Sequence, residues 1–186
     1  AAVFLGLSDG NLVAHNCIHD MPHHAINLAS NGYGRNIVEY NEIRRTCLEL
    51  NDNAAINSWM DTLDVSKSYI LRDTERAGHI IRYNLIADTQ GCETDEKGNI
   101  LKGTATWGIY LDDCTSNCLV YGNIIIRPGY AGICVHGGKN NVIENNIMAE
   151  CPFGMFFLND VSRRPASWQM SGFNAGNRLR NNILYT

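Results

Sequence analysis

Apolar and polar residues alternate along this chain in short runs, and one such run recurs six times. The copies are Asn11-Leu-Val-Ala-His-Asn16-Cys-Ile18, Asn36-Ile-Val-Glu-Tyr-Asn41-Glu-Ile43, His79-Ile-Ile-Arg-Tyr-Asn84-Leu-Ile86, Cys118-Leu-Val-Tyr-Gly-Asn123-Ile-Ile125, Asn141-Val-Ile-Glu-Asn-Asn146-Ile-Met148 and Asn177-Arg-Leu-Arg-Asn-Asn182-Ile-Leu184. The second Asn never varies. A third alternating segment lies between most copies: Ala25-Ile-Asn-Leu28, Ala55-Ile-Asn-Ser58, Gly108-Ile-Tyr-Leu111, Gly132-Ile-Cys-Val135 and Gly154-Met-Phe-Phe157. Val3-Phe-Leu-Gly-Leu7 has the same character at the start. Period two predicts strands, three to a repeat, each too short to bury a face alone. Copies must therefore stack on one another.

Successive constant Asn residues are 25, 43, 39, 23 and 36 positions apart, so the longer coils carry insertions at their corners. The predicted architecture is all-β, a right-handed parallel β-helix of about six coils forming one domain over residues 1–186. Each constant Asn sits between two strand runs with no loop. Asn tolerates the left-handed conformation of so tight a corner, and stacked identical amides are expected to hydrogen-bond into a ladder.

Composition agrees: 22 Asn, 18 Ile and 17 Gly beside only 4 Pro favour short strands joined by tight turns over a helical bundle. A net charge of -4 lacks the basic excess of a nucleic-acid binder. No apolar run approaches the roughly 20 residues of a membrane span. The seven cysteines are odd in number and scattered, which predicts packed thiols rather than a disulfide framework.

The third strand is where chemistry is expected. If Ile109 and Leu111 point inward, Gly108, Tyr110 and Asp112 point outward, and stacking generates two outward columns. One holds Asn27, Asn57, Tyr110, Cys134 and Phe156; the other holds Ala29, Trp59, Asp112, His136 and Leu158. Asp112 then lies between an indole and an imidazole, an arrangement that suits the floor of a carbohydrate cleft. Insertions at residues 60–78 and 158–176 extend the corner after this strand, and residues 87–106 extend the corner before it. They add Asp61, Asp160, Arg163 and Trp168 at the rim, and the first coil adds His19, Asp20, His23 and His24. Asp112 and Asp113 are the candidate catalytic acids, since neighbouring carboxyls drive their pKa values apart. His136 and Asp61 support them, and Trp59, Tyr110, Asn57, Asp160, Arg163 and Trp168 are candidate substrate contacts. Each also has a plainer reading: Asp112-Asp113 and His136-Gly-Gly138 as turns, the tryptophans as packing under loops.

The strings Gly108-Ile-Tyr-Leu-Asp-Asp-Cys114, Val120-Tyr-Gly-Asn123 and His136-Gly-Gly-Lys-Asn-Asn-Val-Ile-Glu-Asn-Asn146 resemble the right-handed parallel β-helix proteins of bacterial polysaccharide degradation, in the pectate-lyase-like superfamily. They look most like the proteins related to glycoside hydrolase family 141. The resemblance implies a secreted hydrolase, extracellular or periplasmic, that acts on plant or microbial glycans through aspartates on the strand face, here Asp112 and Asp113. Such enzymes are usually far longer, which makes this chain a fragment of a longer β-helix.

Two other functions fit the same face. A polysaccharide lyase would need a cation to neutralise a uronate; no cofactor is otherwise expected, but Asp61, Asp112, Asp113 and Asp160 offer oxygens to Ca2+. Against it, no Lys or Arg occupies the outward columns. A noncatalytic carbohydrate-binding or structural module would show a fuller aromatic row than Tyr110 and Phe156 provide. The expected partner is a polysaccharide or oligosaccharide. The uncapped pattern at Val3 to Leu7 and Asn177 to Leu184 also predicts self-association or a partner chain at the coil ends.

Overall fold

A computed structural model describes residues 1–29, 34–59, 78–158 and 174–185. Its strands, numbered in chain order, form three parallel six-stranded sheets and one small hairpin. The first sheet contains β1 (Val3–Gly6), β4 (Ile26–Ala29), β7 (Asn53–Trp59), β12 (Thr106–Leu111), β15 (Ala131–His136) and β18 (Phe153–Leu158), in that order. The second runs through β2 (Leu12–Ala14), β5 (Ile37–Glu39), β8 (Ile80–Arg82), β13 (Leu119–Tyr121), β16 (Val142–Glu144) and β19 (Arg178–Arg180). The third holds β3 (Cys17–His19), β6 (Glu42–Thr46), β9 (Leu85–Thr89), β14 (Ile124–Pro128), β17 (Ile147–Ala149) and β20 (Ile183–Tyr185). Every coil contributes one strand to each sheet. This is the right-handed parallel β-helix that the repeat predicts. The insertion before β12 folds as an antiparallel hairpin of β10 (Cys92–Thr94) and β11 (Ile100–Lys102). Asp95 closes its turn by accepting from the Lys97 and Asn99 amides.

Equivalent apolar residues lie in register from coil to coil. Val13, Val38, Ile81, Val120 and Ile143 stack within the second sheet, and Ile43, Ile86, Ile125 and Met148 within the third, all buried. With Ile56, Ile109, Leu111 and Ile133 of the first sheet they make one continuous core. The end coils leave Leu12 and Ile183 more than half exposed.

The Asn ladder forms. Asn41 donates its side-chain amide to Asn84 Oδ1, Asn84 to Asn123 and Asn123 to Asn146, each at 2.9 Å. The left-handed residue is not the constant Asn, however, but its predecessor: His15, Tyr40, Tyr83, Gly122, Asn145 and Asn181 have φ between 53° and 66°. The chain turns at that residue. The Asn that follows can then aim its carboxamide inward at the main-chain groups which the corner strips of strand partners. The first position of the repeat forms a second ladder, with Asn36 Oδ1 accepting from Asn11 and Asn141 Oδ1 accepting from the Cys118 amide, interrupted at His79 and Cys118.

Gly108 departs from the expected parity. A Cβ there would lie 2.5 Å from Ile125 Cγ2, so the position faces the core as Ile109 does. The strand bends at this point, and Gly132 meets Met148 in the same way. The bend turns Trp107 outward to pack on Tyr110, with ring centroids 4.1 Å apart. Among the described residues no helix is long and apolar enough to cross a membrane. All seven cysteines are free thiols, four of them buried.

Candidate functional site

The first outward column forms as expected. Asn27, Asn57, Tyr110, Cys134 and Phe156 are in register. Ala29 pairs with Trp59 and His136 with Leu158, while Asp112 follows Leu111 and donates its amide to Ser58 O. The Asp112 carbonyl is held too, accepting from the Thr115 amide and hydroxyl. This anchoring fixes where the Asp112 side chain leaves the sheet.

Its carboxylate is fixed as well. His136 Nδ1 donates to Asp112 Oδ1 at 2.8 Å, and the Asp113 amide donates to the same oxygen at 2.7 Å. Both bonds fall on Oδ1. Tyr110 Oη stands 3.4 Å from His136 Nδ1. Tyr110 is only 2% exposed, and burial, together with the charge of Asp112, pushes its phenol far above the usual range. It therefore serves as the packed floor beneath Asp112 and His136 and cannot present a ring face to a sugar. Asp113 sits in a left-handed turn, φ 40°, with Oδ1 4.0 Å from His136 Nδ1. It shares the corner with Asp112 without joining the walls of the adjoining pocket. The ligand atoms of Asp112, Asp113 and His136 lie within 4.8 Å of one another, so among the described residues these three side chains can converge on a cation. Asp61, Asp160, Arg163 and Trp168 lie outside the described residues.

A pocket of about 340 Å³ opens beside Asp112, lined by His23, His24, Leu50, Asn51, Asp52, Asn53, Asn57 and Trp59. Asn53, Asn57 and Trp59 come from β7, the two histidines from the corner before β4, and residues 50–52 from the corner before β7. Asn57 is 4% exposed, and its side chain has no hydrogen-bond partner among the described residues. Its carboxamide therefore meets its hydrogen-bond partners through the pocket. His24 Nδ1 donates to Ala54 O at 3.1 Å, and burial pulls its pKa down to about 4, so the imidazole is neutral at pH 7. Partial burial lowers His23 too, and the two rings meet edge to face at 4.0 Å. His19 and Asp20 stand apart from the pocket in an exposed pair with Arg45.

Asp52 was not a candidate in the sequence. Its backbone is left-handed, φ 51°, and its amide donates to Ala105 O at 2.7 Å. Although the residue is exposed at the rim, the pocket walls desolvate its carboxyl and raise its pKa, and the charge of Asp112 raises it further against an opposing effect of His136. Asn51-Asp52-Asn53 reads as an ordinary turn. One signal was available: Ile43 to Ala55 takes 12 positions where Ile125 to Gly132 takes 7, which marks an insertion at this corner.

A family model for the right handed beta helix region matches residues 85–184. No curated protein and no solved structure gave a match. The matched stretch covers more than half of the chain and includes three coils of the ladder and, of the residues around the pocket, Asp112. The chain belongs to the right-handed β-helix family.

Proposed function

We propose that this β-helix is the core of a secreted polysaccharide-degrading glycoside hydrolase of the kind related to family 141, acting on plant or microbial glycans through Asp112. The observation that carries the reading is that two carboxyls, Asp112 and Asp52, share one pocket with the Trp59 indole and the Asn57 carboxamide. Glycoside hydrolysis needs one carboxyl to protonate the leaving oxygen and a second, as carboxylate, to support the cationic sugar or activate water. Asp52, with its raised pKa, suits the donor, and Asp112, oriented by His136, suits the carboxylate. The proton passes from Asp52 to the glycosidic oxygen as the bond to C1 breaks. Water adds at C1 and returns a proton to the pair. Trp59 offers an apolar surface for a sugar face and Asn57 a hydroxyl partner.

The test is reducing-end release from a panel of plant and microbial polysaccharides. Asp112→Asn and Asp52→Asn should each lose about 100-fold or more in turnover while keeping native circular dichroism. Full activity in both variants refutes the assignment. A second reading, lysis of a uronate polymer, draws on the convergence of Asp112, Asp113 and His136. It predicts cation-dependent growth of unsaturated-product absorbance instead of simple hydrolysis.

A further inference from the structure

The charge of the pocket bears on which sugars it can take. Asp52 and Asp112 contribute two carboxyls, His23 and His24 are held neutral at pH 7, Asn57 is an uncharged amide, and no Lys or Arg lines the pocket among the described residues. A uronate entering here would give up its hydration next to like charge and find no cation in return. An ammonium group meets the opposite conditions: the Asp112 carboxylate, an Asp52 carboxyl whose ionisation a neighbouring cation favours, the amide oxygen of Asn57, and the face of an indole that attracts cations. Asn57 makes this more than a cluster of acids, because its side chain is 4% exposed, bonds to no described residue and lines the pocket, which is where a polar ligand would meet it.

We propose that the pocket formed by Asp52, Asp112, Asn57 and Trp59 is a subsite for an amino sugar in its ammonium form, selective against uronates. This rests on reading the pocket as a glycan subsite and adds the substrate class. It sets the chain apart from enzymes whose clefts hold acidic sugars by Lys, Arg or bound cations.

The test compares three matched probes, the methyl glycosides of glucosamine, glucose and glucuronic acid. Titrations at pH 6.5 follow the Trp59 indole N–H by NMR, assigned with Trp59→Phe. At low salt the glucosaminide should bind about tenfold tighter than the glucoside, and the glucuronide more weakly than both. At roughly 0.5 M salt the glucosaminide advantage should shrink to about twofold or less. It should shrink similarly in the Asp52→Asn/Asp112→Asn double variant, or in Asp52→Asn alone if the double variant does not fold. Binding of the glucuronide as tight as that of the glucosaminide, no binding of any probe, or an advantage that persists once the carboxylates are removed overturns the proposal. Hydrolysis is read separately, by reducing-end release. A correct charge order with no hydrolysis of any glycan would overturn the hydrolase reading alone, and hydrolysis of uronate polymers with the reverse charge order would overturn this inference alone.

Discussion

His79 makes acid stability the most quantitative test of this fold. It occupies a ladder position that four of the other five repeats fill with Asn, and its side chain is completely buried just before β8. Nδ1 accepts from the Asn36 amide at 3.3 Å, and Nε2 has no partner. Burial lowers the pKa from 6.5 to about 4. The folded state therefore holds a neutral imidazole where the unfolded chain takes up a proton. With the folded pKa depressed, the unfolded state binds more protons between about pH 4 and 6.5. Stability from this residue is intact above about pH 6.5 and is lost as the pH falls toward 4. The gap of about 2.5 units corresponds to about 3 kcal/mol, of the same order as leaving a buried imidazolium unpaired. His79→Asn removes the titration and offers an amide that can rejoin the ladder. The variant should lie within about 1 kcal/mol of the parent at pH 7.5 and be about 3 kcal/mol more stable than it at pH 4. Urea unfolding followed by far-UV circular dichroism at pH 4.0, 5.5 and 7.5 measures this directly. His24 has a similar pKa but is present in both proteins, so its contribution cancels in the difference. Stability curves that run parallel across this range would refute the reasoning.

Two further outcomes follow from packing. Asn123→Ala deletes bonds to Ile81 O, Tyr121 O and Asn146 Oδ1 and removes the Oδ1 that accepts from the Asn84 main-chain amide, which should cost about 3–5 kcal/mol in chemical denaturation; a loss below about 1 kcal/mol would show that the ladder is not a principal stabiliser. Gly132→Ala places a methyl 2.7 Å from both Gly154 O and Met148 Cγ, so its thermal midpoint should fall by several degrees, whereas Ala25 and Ala55, at the same bend in earlier coils, already carry that methyl.

Much of this molecule is written in periodicity. A β-helix repeats one local environment along an axis, so a pattern such as Asn-x-x-x-x-Asn-x-Ile reports neighbours many residues away as directly as neighbours in the chain. That is why the coil count, the Asn ladder, the core residues and the meeting of Asp112 with His136 could be read without coordinates. Individual corners obey no such repetition. The left-handed turn falls one residue before the constant Asn because backbone conformation, not side-chain identity, closes the corner, and Tyr and His accept it there. Gly108 faces inward because the strand bends over Ile125, a contact between sheets that period-two alternation cannot register. The pocket is likewise a product of tertiary structure. It gathers residues from three coils, joining a histidine corner, an Asp52 turn and the end of β12, and no spacing rule relates these segments. The sequence by itself thus determined the solenoid and the row in which Asp112 stands, because both follow from a repeated strand. Only the folded chain decided that Asp52 faces the same pocket, that Tyr110 is floor and not surface, and that Asn57 is buried without a partner among the described residues, since desolvation and hydrogen-bond satisfaction depend on every atom that surrounds a group and not on its place in a repeat.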